Sequence, residues 1–145
     1  MYSDNTETVF MNLYDLLNEI KLEIDRNEND ELIHNYNNIV EFMKNMCMVK
    51  NNRDDLKSCI NMFLHSNCIN NLIDNNLDDL LINTCLETLK IIIDLSYKYN
   101  LYEYINFIKE HILNSLWHPY NMDNYNKLNN YLNNDVFKTL ETDIV

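Results

Sequence analysis

The sequence predicts an all-α fold, a bundle of about seven helices around one central hydrophobic helix at about residues 77–99. Two observations carry this prediction. The 145 residues contain no Gly and a single Pro, so tight hairpins of the primed types, which favour Gly, are not expected. Apolar residues instead recur at three- and four-residue spacing, the period of an amphipathic helix. At this length we expect a single domain over residues 1–145.

Four helices are predicted before the central one. The first follows N-cap candidates at residues 3–6 and ends at a charged break over 26–30. The second covers about 31–48, and after a polar break, with Asp54 or Asp55 as the expected N-cap, two short helices cover about 56–64 and 67–74. The predicted inward residues of the first helix are Val9, Leu13, Leu16, Leu17, Ile20 and Ile24. Those of the second helix are Leu32, Tyr36, Ile39, Met43 and Met46.

The central helix is the longest apolar segment, and its few polar residues fall on one narrow stripe. Because they are spaced by four, three and four residues, they are predicted to form a solvent-facing edge of Asn83, Glu87, Lys90 and Asp94. A helix with so narrow a polar stripe is nearly surrounded by protein. Its other stripes are a predicted core face of Ile82, Leu86, Leu89 and Ile93, and an adjacent face of Leu81, Cys85, Thr88, Ile92 and Leu95.

Two helices are predicted after the central one, which is expected to end at Asn100 because Asn tolerates a left-handed C-terminal cap. The next helix covers about 101–115 and ends before Pro119, which cannot continue a helix. Its predicted inward residues are Leu101, Tyr104, Ile105, Ile108 and Ile112, and those of the last helix are Met122, Tyr125, Leu128 and Leu132. Neither a signal peptide nor a membrane-spanning run is expected.

Charge and composition exclude several classes of function. Eleven Lys and Arg stand against 23 Asp and Glu, a net charge of -12, so nucleic acid is not an expected partner. Without Gly, the phosphate loops of nucleotide-binding proteins and the Gly-x-Ser-x-Gly elbow of hydrolases are excluded. Cys59, His65 and Cys68 lack a fourth ligand for zinc. We therefore predict no catalytic residue, no metal and no cofactor, in a protein that is not an enzyme.

Methionine clusters in the second helix and just after it. The segment 42–48 contains three Met residues and the segment 60–63 contains a fourth. Met is flexible and polarizable, which suits a groove that accepts several partner helices. The same side chains also serve as ordinary core filler, so composition leaves both interpretations open.

Residues 86–100, Leu-Glu-Thr-Leu-Lys-Ile-Ile-Ile-Asp-Leu-Ser-Tyr-Lys-Tyr-Asn, resemble the BH1 region and central helix of poxvirus Bcl-2-like proteins. Apoptosis regulators of capripoxviruses are the most similar in style. In this family the helix follows the pattern Leu-Ala-Thr-Leu-x-x-Ile and ends in Lys-Trp-Gly. The Leu, Thr, Leu and Ile positions of this pattern are matched by Leu86, Thr88, Leu89 and Ile92. Tyr99 and Asn100 lie where the family has Trp-Gly. About fifteen residues match specifically, and helix order and length fit loosely over the whole chain.

The resemblance implies a Bcl-2-like bundle whose second to fifth helices form a hydrophobic groove. In apoptosis-blocking members this groove sequesters BH3 helices of host proteins such as Bak, Bax and Bim, which then cannot permeabilise the mitochondrial outer membrane. Cys85 stands where an Arg of cellular relatives pairs with the BH3 Asp, so either this ion pair is lost or Lys50, Arg53 or Lys57 supplies the charge from the preceding loop. The implied groove residues are Tyr36, Ile39, Met43, Met46, Ile60, Phe63, Leu81, Cys85, Thr88 and Ile92.

The end of the chain leaves an alternative open. Apoptosis-blocking members usually end in an apolar tail that anchors them in the mitochondrial outer membrane, and residues 141–145, Glu-Thr-Asp-Ile-Val, are not such a tail. We therefore expect either an anchored protein whose tail is missing from this chain, or a tail-less member in the host cytoplasm. Tail-less members inhibit NF-κB or Toll/interleukin receptor signalling through protein contacts. Some relatives form domain-swapped dimers through the first helix, so a homodimer is a further expectation.

Overall fold

A computed structural model describes residues 2–27, 30–48 and 52–133, and all regular secondary structure in these ranges is helical. This confirms the predicted helical bundle with seven α-helices. They are α1 (Tyr2–Asn27), α2 (Asp30–Met48), α3 (Arg53–Leu64), α4 (Asn67–Ile73), α5 (Asp79–Lys98), α6 (Tyr102–Phe107) and α7 (Met122–Leu132). Between α6 and α7 the chain forms a π-helical turn, Ile108–Leu113, and two 3-10 turns, Asn114–Leu116 and Pro119–Asn121.

Helix α5 lies at the centre of the bundle. It contacts α1, α2, α4, α6 and α7, and thirteen of its twenty residues are buried. The helix begins after Asp78, whose side chain accepts a 2.9 Å hydrogen bond from the N–H of Leu81. Such an N-cap satisfies one of the unpaired donors of the first turn. The central position of this helix is therefore confirmed, and its start at Asp79 lies two residues after the predicted one.

Within residues 2–27, 30–48 and 52–133, both residues with positive φ are Asn, and both lie just after a helix. Asn100 follows α5 and Asn75 follows α4, each with φ of 58°. After α5, the N–H of Leu101 donates to the carbonyl of Ser96 at 2.7 Å, the closing hydrogen bond of a Schellman motif. The predicted left-handed cap at Asn100 is confirmed. In a chain without Gly, Asn takes the conformation that Gly usually supplies.

Two predicted helix starts are wrong. The N-cap of α3 is Asn52, whose Oδ1 accepts hydrogen bonds from the N–H groups of Asp54 and Asp55 at 3.0 and 3.2 Å. The two aspartates lie in the first turn instead, where the helix dipole stabilises a carboxylate. Helix α1 begins at Tyr2, so the N-cap candidates at residues 3–6 lie inside it.

The helix predicted over 101–115 is α-helical only as far as Phe107. The π-helical turn that follows is wider by one residue per turn. The buried residues of this turn are Ile108, Ile112 and Leu113. Four of the five predicted inward residues, Leu101, Ile105, Ile108 and Ile112, are buried, and Tyr104 is half-buried.

The predicted solvent edge of α5 is wrong in its C-terminal half. Asn83 is exposed and Glu87 and Lys90 are half-buried, but Asp94 is fully buried. Helix α7 packs over this part of the edge, and the hydroxyl of Tyr131 donates a 2.6 Å hydrogen bond to Oδ1 of Asp94. Hydropathy alone cannot predict a buried carboxylate whose hydrogen-bond donor comes from a distant helix. On the core face, Leu86, Leu89 and Ile93 are buried as expected, while Ile82 is half-buried.

Candidate functional site

The predicted floor of the groove is one continuous stripe of α5. Leu81, Cys85, Thr88 and Ile92 recur every three or four residues, so they share one face of the helix. All four side chains are at most 3% exposed. In this structure the stripe, which we call the floor, is therefore covered. Among the helices predicted to form the groove, α2 and α4 contact α5 most extensively.

The polar groups along the floor are satisfied within the helix itself. The hydroxyl of Thr88 donates to the carbonyl of Thr84 at 2.8 Å, and the hydroxyl of Thr84 donates to the carbonyl of Leu80 at 2.6 Å. Such back-bonding to the residue four positions earlier leaves only the methyl group of Thr to face a neighbour. The floor therefore presents an apolar, uncharged surface.

Cys85 links the floor to α4. A hydrogen bond with Cys68 and complete burial together hold the pKa of the Cys85 thiol well above its usual range. Both cysteines are free thiols with no exposed surface. A neutral buried thiol is a poor nucleophile. Cys85 therefore acts as a small apolar contact between α4 and α5, and carries no charge for a partner.

The predicted groove residues on α2 and α3, which would form the walls beside the floor, include both buried and half-buried residues. Ile39 of α2 and Ile60 and Phe63 of α3 are buried. The ring of Phe63 lies 5.5 Å from that of Phe42, centroid to centroid, and the thiol of Cys59 donates to the carbonyl of Phe42 at 3.6 Å. These contacts close α3 onto α2. The half-buried members of the predicted set are Tyr36, Met43 and Met46.

Two openings lie along α2. The larger, about 260 Å³, is bordered by α1 and α2, and its lining residues are Tyr14, Leu17, Asn18, Tyr36, Val40, Met43 and Lys44. The smaller, about 80 Å³, lies between α2 and α3 and includes Phe63. Tyr36 and Met43 are thus the predicted groove residues that border an opening of appreciable size. The sequence analysis missed the contribution of α1, because Tyr14 lies outside the predicted inward face of that helix.

The predicted charge partners lie toward the other end of α5. Arg53 donates to the backbone carbonyl of Asn100 at 3.4 Å, and Lys57 pairs with Glu103 at 3.4 Å. Fifteen residues separate Cys85 from Asn100, a distance of about 22 Å along a helix axis. Lys50 lies outside the described residues. The replacement of the family arginine by one of these three residues stays a prediction.

The described residues offer little for other kinds of site. Within the described ranges, no group of three or more His, Cys, Asp or Glu side chains could hold a metal ion. Across those same ranges, we find no helix with the length and apolar character that crossing a membrane requires. Cys59 is buried, and its burial raises the pKa of its thiol to about 11.

No protein-family model matches the chain, and comparisons with curated proteins and with solved structures return no match. The geometry of the floor and of the openings beside it is therefore the basis for the functional proposal.

Proposed function

We propose that this protein is a Bcl-2-like viral inhibitor of host apoptosis that sequesters BH3 helices of pro-apoptotic proteins such as Bak, Bax and Bim. The observation that carries the proposal is the apolar floor of α5. From Leu81 to Ile92 there are eleven residue steps, a length of about 16 Å at 1.5 Å per residue. A helix with apolar residues at i, i+3 or i+4, i+7 and i+11 presents a stripe of the same length.

Helix α4 covers part of the floor in the free protein. It has seven residues, and its buried side chains are Cys68, Ile69 and Leu72. A helix this short is not stable without its tertiary contacts, so α4 is the covering element that an incoming helix displaces most easily. The ligand then replaces the apolar contacts that α4 gives up. Because only the open form binds, the apparent affinity is reduced by the fraction of molecules in which α4 is displaced.

The half-buried residues of α2 form the rim of the proposed site. Met43 and Tyr36 border the opening against α1, and Met side chains adapt to ligands of different shape. An incoming helix makes its first contacts here, since these side chains are accessible before α4 moves.

Isothermal titration with BH3 peptides of Bim, Bak and Bax tests the proposal directly. We expect at least one peptide to bind with a dissociation constant below tens of micromolar, because a stripe of four apolar anchors buries enough surface for that affinity. If none of the three binds at that concentration, the proposal is wrong.

A matched pair of variants locates the binding surface. Met43→Glu places a charge on the rim, and we expect it to weaken peptide binding by about tenfold or more. Met11→Glu makes the same change on α1 at a side chain that is 69% exposed and outside the openings along α2, and should leave affinity unchanged. Equal effects in the two variants would show that the peptide binds elsewhere.

A second function, inhibition of NF-κB or Toll/interleukin receptor signalling, is favoured by one exterior feature. Trp117 and Tyr120 are 64% and 53% exposed on either side of Pro119. Their rings contact neighbours, Trp117 with Tyr125 at 4.9 Å and Tyr120 with His118 at 3.9 Å between centroids. Exposed aromatic groups of this kind are enriched at protein interfaces.

Trp117→Ala separates the two functions. If signalling is the target, this variant should lose inhibition in an NF-κB reporter assay while its affinity for BH3 peptides stays that of the wild type. Full retention of reporter inhibition by Trp117→Ala would exclude the aromatic surface as the site of action.

A further inference from the structure

The outer face of α1 carries large apolar side chains that the described part of the chain leaves exposed. Met11, Tyr14 and Leu22 are 69%, 63% and 57% exposed, and they are half of the large exposed apolar residues in that part. With the exposed Asn18 they recur every three or four residues, so the four lie on one face of the helix. We call this face the outer stripe.

The outer stripe is separate from the residues that hold α1 in the bundle. Val9, Leu13 and Ile20 are buried on the opposite side of the helix, and α1 packs against α5. From Met11 to Leu22 there are eleven residue steps, a length of about 16 Å. Apolar residues that are exposed together along one face, rather than singly, mark protein interaction sites.

Two carboxylates border the outer stripe on one side. Asp15 and Glu19 each follow a stripe residue by one position, are exposed and lie about one turn apart. Within the described ranges neither carboxylate has an ion-pair partner. Lys127 lines the same cleft as Asp15 but pairs with Asp123 at 3.6 Å. Because like charges at this spacing repel each other, this acidic flank favours a cationic ligand.

The negative charge beside the outer stripe lies on one side. Lys21 is exposed on the other side. Glu23, one turn after Glu19, pairs with Arg26 at 3.5 Å. The exposed Asp25 is the next residue on the face of the stripe and ends its apolar part. A helix that lies along the stripe therefore needs basic residues on the side of the acidic flank.

We propose that the outer stripe binds an amphipathic helix of a partner protein, with basic residues along one side. The apolar face of that helix packs against Met11, Tyr14 and Leu22, and two Lys or Arg residues one turn apart pair with Asp15 and Glu19. Ion pairs at the edge of such a contact fix its register and speed association. A second copy of this chain fits less well, because a net charge of -12 makes two copies repel each other.

The probe is a synthetic amphipathic helix of Leu and Lys, about eighteen residues long, which covers the outer stripe with one turn to spare at each end. The control peptide has the same residues in an order that distributes Leu around the helix. We expect titration calorimetry of the full chain to show saturable binding of the probe and at least about tenfold weaker binding of the control peptide. Equal affinities, or no binding of the probe, would overturn the proposal.

Neutral variants locate the probe. Met11→Gln combined with Leu22→Gln removes apolar surface but keeps good helix formers, and should weaken probe binding by about tenfold or more. Met62→Gln makes the same change on α3 at a side chain that is 57% exposed, and Met43→Gln makes it on the rim of the proposed BH3 site. Both controls should bind the probe as the wild type does. A larger loss in either control than in the double variant would overturn the proposal.

A second double variant tests the acidic flank. Asp15→Asn combined with Glu19→Gln should weaken probe binding by about tenfold. Glu103→Gln combined with Glu110→Gln removes two charges from exposed positions outside α1 and should have a smaller effect. Equal losses would show that the overall charge attracts the probe, and would contradict the proposed ion pairs.

Sedimentation of the wild-type protein alone tests whether a second copy covers the outer stripe. We expect a monomer. A dimer that is abolished by Met11→Gln combined with Leu22→Gln would overturn the proposal, because the stripe would then be an interface between two copies of this chain. Neither this test nor the titrations depend on whether the protein binds BH3 helices.

Discussion

The hydroxyl of Tyr131 and the carboxylate of Asp94 form a hydrogen bond of 2.6 Å between α7 and the central helix. Asp94 is fully buried, so its oxygens depend on hydrogen-bond donors supplied by the protein. This bond therefore joins the C-terminal part of α7 to the buried edge of α5.

Removing this donor should destabilise the fold. We expect Tyr131→Phe to lower the free energy of unfolding by about 1–3 kcal/mol, the usual effect of withdrawing a hydrogen bond from a buried polar group. Tyr102→Phe is the control, because the hydroxyl of Tyr102 donates to the side chain of Asn100 at an exposed position, and its loss should change stability by less than about 0.5 kcal/mol. Urea unfolding measures both. Similar values for the two variants would show that the buried bond contributes little.

The floor residue Thr88 gives a second prediction. Its hydroxyl bonds only within α5, to the carbonyl of Thr84, so Thr88→Val should change the free energy of unfolding by less than about 1.5 kcal/mol. Thr88→Arg places a charge at a position with no exposed surface and should cost more than about 4 kcal/mol. Thermal unfolding distinguishes the two. A fully stable Thr88→Arg protein would indicate that α4 already opens readily in the free state.

The left-handed position after α5 gives a third prediction. Asn100→Gly should leave stability unchanged or raise it by about 0.5–1 kcal/mol, because Gly adopts positive φ without strain. Asn106 is exposed within α6, so Asn106→Gly should instead lower stability by about 0.5 kcal/mol, as Gly does inside helices. Chemical denaturation of the two variants shows whether their changes in the free energy of unfolding differ in sign. A loss of stability in Asn100→Gly comparable to that in Asn106→Gly would contradict the prediction.

A fourth prediction concerns alkaline pH. Burial raises the pKa of Cys59 from 9.0 to about 11, so the folded protein keeps a proton that the unfolded chain loses above pH 9. The free energy of unfolding should therefore fall as pH rises from 9 to 11, by about 3 kcal/mol from this thiol. Below pH 9 both states are protonated and the effect vanishes.

Cys59→Ala isolates this contribution. Other groups, tyrosines among them, titrate in both proteins, so the quantity to compare is the loss of stability between pH 8 and pH 11 in each. We expect a smaller loss in Cys59→Ala, measured by guanidinium unfolding at a series of pH values. Equal losses would mean that Cys59 titrates alike in the folded and unfolded chains.

The sequence predicted the elements of the fold well because helical periodicity is a local property. The position of α5, the cap at Asn100 and the inward residues of the segment 101–115 all follow from spacing and from the conformational preference of Asn. The start of α3 was missed because Asn and Asp are both good N-caps, and only the backbone geometry places Asn52 there.

The candidate site was less predictable because it depends on which helices meet. Spacing placed Leu81, Cys85, Thr88 and Ile92 on one face, and the structure places them together there. Spacing could not show that α4 covers Cys85, that α1 borders the opening beside Met43, or that α7 covers Asp94. Each of these contacts joins residues far apart in sequence, and a single chain carries no local signal for them.

The π-helical turn at Ile108–Leu113 has a consequence for how this chain tolerates insertions and deletions. A π turn is equivalent to one residue inserted into an α-helix. Deleting one residue there would restore a regular helix but would rotate everything after it by about 100° around the axis, one residue's share of a 3.6-residue turn. Leu116, which has no exposed surface, would then leave the core. The extra residue is therefore an insertion that the packing of the last part of the chain now requires.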